Sequence, residues 1–221
     1  MSDNFLIWDL DGTMLNSLGM LEEGLAKVLP NYQLPIPSEE VLCANFHGSL
    51  EDSIANMLGH PPTQQLKRII SDFLTVQDDM CDIIGPHLFP DALRLAKRAA
   101  EGGYTQILVT NRAHERRLRA SPRSIVANSD LRNYIDTIIC GDESQHRKPK
   151  PEVLGEIADR LGEAKVSVVG DQFIDADFAR NLGAQAIIVS RDGGEPFNMH
   201  SLGVDWPQFV TLVQTLDEVM L

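Results

Sequence analysis

The chain has 221 residues, enough to bury a sizeable core as one large domain or one domain with a smaller insert. Its 19 basic and 32 acidic side chains leave a formal charge of −13, which argues against nucleic acid or an anionic membrane surface as a partner. Cys43, Cys81 and Cys140 are odd in number and far apart, so they predict neither a disulfide framework nor a zinc cluster, and a reducing compartment fits better.

No charged-then-apolar signal pattern opens the sequence, and no run approaches the ~18 apolar residues of a spanning helix. A soluble, cytoplasmic protein is expected. The first element is a strand over 5–10, where Phe5-Leu6-Ile7-Trp8 runs straight into Asp9 and Asp11. Residues 16–85 then contain no convincing strand. Helical spacing over 18–29, 38–46, 50–58 and 63–84, punctuated by Pro30, Pro35, Pro37 and Pro61-Pro62, predicts an inserted helical domain on hinges near Ser17 and Gly85-Pro86.

The remainder alternates. A helix over 91–101 stops at Gly102-Gly103, and strands follow over 106–110 and 137–140. A helix over 151–161 opens on a proline and ends at Gly162. A strand over 166–169, a helix over 175–182 and a strand over 186–189 complete the series. The five strands are rich in Ile and Val with little alternation, as expected when both faces are covered. Strand–helix alternation implies an open, parallel α/β sheet with right-handed crossovers. The division expected is a core of residues 1–15 and 86–221 and a helical domain of residues 16–85.

Ligands of parallel sheets bind outside the carboxyl ends of the strands. Those ends carry Asp9 and Asp11, then Thr110-Asn111-Arg112, then the loop 141–152 with Lys148, then Asp171 and Asp175. Converging carboxylates repel unless a cation sits among them, and an all-oxygen set that is to receive a phosphate suits Mg²⁺. Thr110, the amides after it and Lys148 suit the oxygens of a phosphoryl group. One aspartate can attack phosphorus, and a second can protonate the leaving oxygen and later activate water. Each piece also has an ordinary reading. Asp-x-Asp can be a solvated turn, Thr-Asn a turn, Lys148 an exposed loop charge, and Asp171 and Asp175 helix caps. Their conjunction at successive strand ends is what points to phosphoryl transfer.

DLDGT at 9–13, VTNR at 109–112, RKPKPE at 147–152 and VGDQFID at 169–175 resemble the four motifs of the haloacid dehalogenase-like superfamily. The resemblance implies a Rossmann-like, three-layer α/β/α core with a small helical cap inserted after the first motif, as in phosphoglycolate phosphatase-like and β-phosphoglucomutase-like members. It implies Asp9 as nucleophile and Asp11 as general acid/base. It assigns phosphoryl binding to Thr110 and Lys148, and Mg²⁺ ligation to Asp9, the Asp11 carbonyl and Asp171, with Asp175 in support. Asn111 and Arg112 beside Thr110, and His47 and Gly48 in the cap, are expected to face substrate. The activity implied is Mg²⁺-dependent hydrolysis of a small phosphorylated metabolite through an aspartyl-phosphate, by a monomer or homodimer. A phosphomutase on the same aspartates and a non-catalytic binding protein on the same fold are the rivals.

Two departures from the family pattern stand out. Asn16 takes a place where many relatives carry an aspartate. The stretch 113–124 is longer than the pattern leads one to expect and gathers His114, Arg116, Arg117, Arg119 and Arg123 in a very acidic chain. It reads as a solvated helix face or as a second anion site.

Overall fold

Phe5, Leu6, Ile7 and Trp8 have no exposed surface, because the strand that carries them lies inside a sheet with helices over both faces. The computed structural model describes residues 4–46, 50–81, 84–114, 120–162, 164–191 and 208–221. Among them six strands form one parallel sheet in the order β3-β2-β1-β4-β5-β6. They are β1 (Asn4–Trp8), β2 (Tyr104–Val109), β3 (Thr137–Ile139), β4 (Lys165–Gly170), β5 (Gln185–Val189) and β6 (Val210–Val213).

Side chains of a strand alternate between its faces, and that alternation builds the two core layers. Leu6, Trp8, Leu108, Val169 and Ile187 pack beneath Ala92, Leu95, Ala96 and Ala99 of α5 (Pro90–Glu101). Phe5, Ile7, Ile107, Val168 and Ile188 pack beneath Ala176, Phe178 and Ala179 of α8 (Phe173–Leu182). The Trp8 indole donates to Gln106 Oε1 at 3.0 Å, and the Gln106 amide donates to the Ala96 carbonyl at 2.7 Å. The polar groups of this buried chain are therefore satisfied. The result is a Rossmann-like α/β fold.

Between β1 and α5 the chain forms α1 (Ser17–Val28), α2 (Glu39–Asn45), α3 (Leu50–Met57) and α4 (Thr63–Met80). These helices share a third cluster, with Leu21, Leu25, Ile54, Ile69 and Phe73 at its centre. Gly24 lets α1 approach α4, since a Cβ there would lie 2.5 Å from the Phe73 ring. The two chains that join this unit to the sheet lie side by side. Leu15 bridges Leu88, Asn16 N–H donates to the His87 carbonyl at 2.8 Å, and Phe89 N–H donates to the Met14 carbonyl at 2.9 Å. Asn16 also caps α1 by accepting from Gly19 N–H.

Three expectations are corrected. β6 is a sixth strand that the apolar runs do not announce; its pattern leaves Thr211 and Leu212 exposed. The helix expected over 151–161 is a 3-10 stretch, Pro151–Ile157, followed by the single turn α7 (Ala158–Leu161). Gly155, at φ 52° and ψ −131°, breaks the helix there. α4 stops at Met80 rather than running to 84. Its last turn carries Asp78 and Asp79 and no basic residue, which opposes the negative end of the helix dipole. The short α6 (Pro122–Ala127) completes the α-helices among the described residues. No helix among the described residues is long and apolar enough to cross a membrane.

Candidate active site

β1 ends at Trp8, and Asp9 N–H still pairs with the Val169 carbonyl at 2.8 Å, so the Asp9 carboxylate leaves the sheet at its centre. The chain then folds into a tight turn. Met14 and Leu15 N–H both donate to the Leu10 carbonyl, and Gly12 N–H donates to the Leu15 carbonyl. Gly12 has φ +78°, and a Cβ on it would fall 2.2 Å from Asp171 Oδ2. A glycine is required on both counts. The next residue, Thr13, is fully buried and donates its hydroxyl to Asp171 Oδ1 at 3.0 Å.

Lys148 is buried, not an exposed loop charge. Its Nζ lies 2.5 Å from Asp9 Oδ1 and 2.7 Å from Asp175 Oδ1. Burial alone would favour the neutral amine, but the two carboxylates outweigh it and hold the ammonium above its usual range. Asn111 fixes the lysine's backbone, accepting from Lys148 N–H at 3.0 Å and donating to its carbonyl at 3.3 Å. Asp175 is fully buried, and its second oxygen accepts from Gln172 N–H in the capping box of α8. The capping reading and the site reading of Asp175 therefore describe two oxygens of one carboxylate.

One carboxylate oxygen from each of Asp9, Asp171 and Asp175 lies within 4.8 Å of the other two. Burial pushes the Asp9 carboxyl up to about 7, against the pull of Lys148 and with help from Asp175 and Asp11. Burial and the Asp9 charge push Asp171 well above the usual carboxylate range too. Three acids facing one ammonium leave excess buried negative charge, and the donors are all hard oxygens. The set fits a small divalent cation such as Mg²⁺. The Asp11 carboxylate stands apart from it. Arg112 grips that carboxylate through Nε and Nη2, and the Ser17 hydroxyl donates to it. The Asp11 backbone carbonyl remains the ligand expected of that residue.

Thr110 follows β2, continues the ladder by donating to the Ile139 carbonyl, and accepts from Arg112 N–H at its hydroxyl. Gly141 lets β3's exit pass close to Asn111, whose carbonyl oxygen would be 2.1 Å from an added Cβ. A cleft of about 880 Å³ joins these groups. Asp9, Thr110, Arg112 and Lys148 line it together with Leu21, Phe46 and Phe73 of the helical unit.

The haloacid dehalogenase-like hydrolase pattern matches residues 6–189 of this chain. The chain belongs to that family. A phosphoglycolate phosphatase from Rhodobacter capsulatus is 27% identical over 187 residues, covering 83% of this chain and 82% of that protein. Among solved structures, a predicted phosphoglycolate phosphatase from Haemophilus somnus superposes with a TM-score of 0.74 at 17% identity, covering 99% of this chain and 96% of its own. CbbY from Rhodobacter sphaeroides, solved with phosphate, gives a TM-score of 0.66 at 16% identity and covers 99% and 96%. At those identities the structural likeness speaks for the haloacid dehalogenase-like fold alone.

Of the residues singled out in the sequence, Asp9, Asp11, Thr110, Asn111, Arg112, Lys148, Asp171 and Asp175 meet at one sheet edge. His47, Gly48, Arg116, Arg117 and Arg119 lie outside the described residues. Arg123 is turned away to Glu143, with Nη2 2.7 Å from Oε2. Sequence reasoning missed Ser17 as a partner of Asp11, Thr13 as a partner of Asp171, and Arg191. The serine and the threonine sit inside or beside the first motif, where proximity was the available signal. Arg191 follows β5, and reading that strand's end as the others were read would have found it.

Proposed function

We propose that this protein is a Mg²⁺-dependent phosphatase of a small phosphorylated metabolite, acting through an aspartyl-phosphate on Asp9. The observation that carries the reading is the buried Asp9 carboxylate, held by Lys148 at the end of the central strand and open to the cleft beside Thr110. One Asp9 oxygen attacks phosphorus and the ester P–O bond breaks, while Asp11 gives its proton to the departing oxygen. Asp11 then takes a proton from water, whose oxygen attacks phosphorus and releases inorganic phosphate and free Asp9. Lys148 has three N–H donors and two carboxylate partners, which leaves one donor for a phosphoryl oxygen. The Thr110 hydroxyl accepts from Arg112 N–H and keeps its own proton for another. When bound to the Asp9 and Asp171 carboxylates and the Asp11 carbonyl, with Asp175 in support, Mg²⁺ supplies neutralisation of the phosphate's charge.

In this reading residues 16–85 are the cap, residues 1–15 and 86–221 the catalytic core, and the cleft between them the place where bulk water is excluded. The Rhodobacter relative's name makes phosphoglycolate the first substrate to try. A panel of phosphomonoesters assayed with Mg²⁺ and with EDTA tests the proposal. Mg²⁺-dependent phosphate release from at least one member is expected, with a phosphoryl mass increment on Asp9 after acid quench. No release from any member would overturn it.

A further inference from the structure

We infer that Arg191 is a positioning residue for the catalytic turn. It is not among the residues that line the cleft, yet its guanidinium holds the backbone that follows Asp11. Nε donates to the Gly12 carbonyl at 3.0 Å and Nη2 to the Thr13 carbonyl at 2.8 Å. Nη1 meets both oxygens of Asp91, at 3.2 and 3.1 Å, and the guanidinium carbon lies 3.6 Å from the centre of the Phe89 ring.

Each contact is itself anchored. The Asp91 carboxylate, at the start of α5, also accepts from Ala92 N–H, from the Thr215 hydroxyl and from Leu216 N–H. Phe89 N–H takes the Met14 carbonyl, so three successive carbonyls of the turn, from Gly12 to Met14, are fixed from one side. Both ion-pair partners are largely removed from water, at 17% and 8% side-chain exposure. A planar fork with five donors is suited to two carbonyls and a carboxylate at once, and a lysine is not. Through Thr13, whose hydroxyl holds Asp171, the same clamp reaches the acidic cluster. Arg191 thereby sets the relative placement of Asp9, Asp11 and Asp171 without touching any reacting atom, and a misplacement of about 1 Å at such a turn is worth up to roughly a hundredfold in rate.

Arg191→Met and Arg191→Lys test this on the full chain by two readouts. The kinetic readout, kcat and KM on p-nitrophenyl phosphate with Mg²⁺, rests on the phosphatase reading. Amide hydrogen exchange of the metal-free protein does not. The methionine variant is expected to lose about ten- to a hundredfold in kcat with KM within about twofold, and the lysine variant to lie between it and wild type. Exchange at Gly12, Met14 and Leu15 should accelerate about tenfold or more, while Ile107 and Leu108 in β2 keep their protection. Exchange in the turn and kcat both unchanged would overturn the inference. So would acceleration spread evenly over the sheet with kcat per folded molecule unchanged. If the methionine variant does not fold, the lysine variant decides, and its failure to fold would make Arg191 a requirement of the whole fold instead. A wild type inactive on every phosphomonoester would remove the phosphatase reading and leave the exchange readout to judge Arg191.

Discussion

Arg112 and Asp11 form a two-pronged ion pair, with Nε 3.1 Å from Oδ2 and Nη2 against Oδ1, in the lining of the cleft and only a quarter exposed. Both oxygens of the proposed acid/base are thus engaged, one of them by Ser17 as well. Asp11→Asn should lose about 10²–10⁴-fold in kcat on an alkyl phosphate and far less on an aryl phosphate, whose leaving oxygen needs no proton. Arg112→Met should show the same selectivity, and the double change should cost little more than Asp11→Asn alone. Equal losses on both substrates would leave Asp11 a purely positional role.

Asp9→Asn should fold as wild type does, because the amide oxygen can still accept from Lys148. Turnover should fall below about 1% of wild type, since the attacking oxygen is gone. Retention of more than a few per cent would exclude the covalent route.

Metal-free stability should fall with pH across the window that Asp9 defines. Below its ordinary value of 3.8 the carboxyl is protonated in both folded and unfolded chains. Between 3.8 and about 7 only the folded chain keeps the proton, so stability declines as pH rises, by at most about 1.4 kcal/mol per unit from this group. Above about 7 the full penalty of a buried charge remains, and a bound cation offsets it. Mg²⁺ should therefore raise Tm more at pH 8 than at pH 5, and Asp9→Asn should flatten the difference. Equal shifts at both pH values would count against Asp9 as a ligand.

Asp91 behaves in the opposite sense. Burial would raise its pKa, but Leu216 N–H, Arg191 and Thr215 together hold it below its usual range. Its contribution is complete above pH 3.8 and is lost as pH falls through the lowered folded value. Asp91→Asn should cost about 3 kcal/mol at pH 7 by urea unfolding and progressively less below pH 4. A cost independent of pH would mean that the ion pair adds nothing beyond packing.

Gly12→Ala should damage the acidic cluster more than the fold. The added methyl meets the Asp171 carboxylate, and φ +78° is strained for any residue with a Cβ. A fall of about tenfold or more in Mg²⁺ affinity, measured by calorimetry, is expected together with a fall in kcat. Unchanged Mg²⁺ affinity would place Asp171 outside the metal set.

Five strands were legible because they are short, apolar and covered on both faces. β6 was not, because an edge strand with exposed Thr211 and Leu212 lacks that signature. The helix over 151–161 failed on one residue, Gly155, whose backbone freedom composition does not reveal. Lys148 shows the limit of local reading most clearly. In sequence it sits in a polar loop among His146, Arg147, Pro149 and Lys150, yet Asn111, 37 positions earlier, folds that loop inward and buries it. Asp11 was found as a motif residue, but its engagement by Arg112 across 101 positions is a product of strand order alone.

The adjacency of Asn16 N–H and the His87 carbonyl, 2.8 Å apart beside the Leu15–Leu88 bridge, makes the helical segment a graftable part. Its two ends are already neighbours, so a turn of a few residues would close the gap with little loop-closure cost, and a longer insert would add only slowly to it. β1 would keep its partners in either case, since β2 and β4 pair with it on the far side of the junction. In the proposed reading, chemistry and selectivity are written in separable stretches of one chain. On that reading the groups that break the ester bond stand just beyond the strand ends, and the surface that chooses the alcohol is exchangeable through a single doorway, where residues 14–16 run beside residues 87–89.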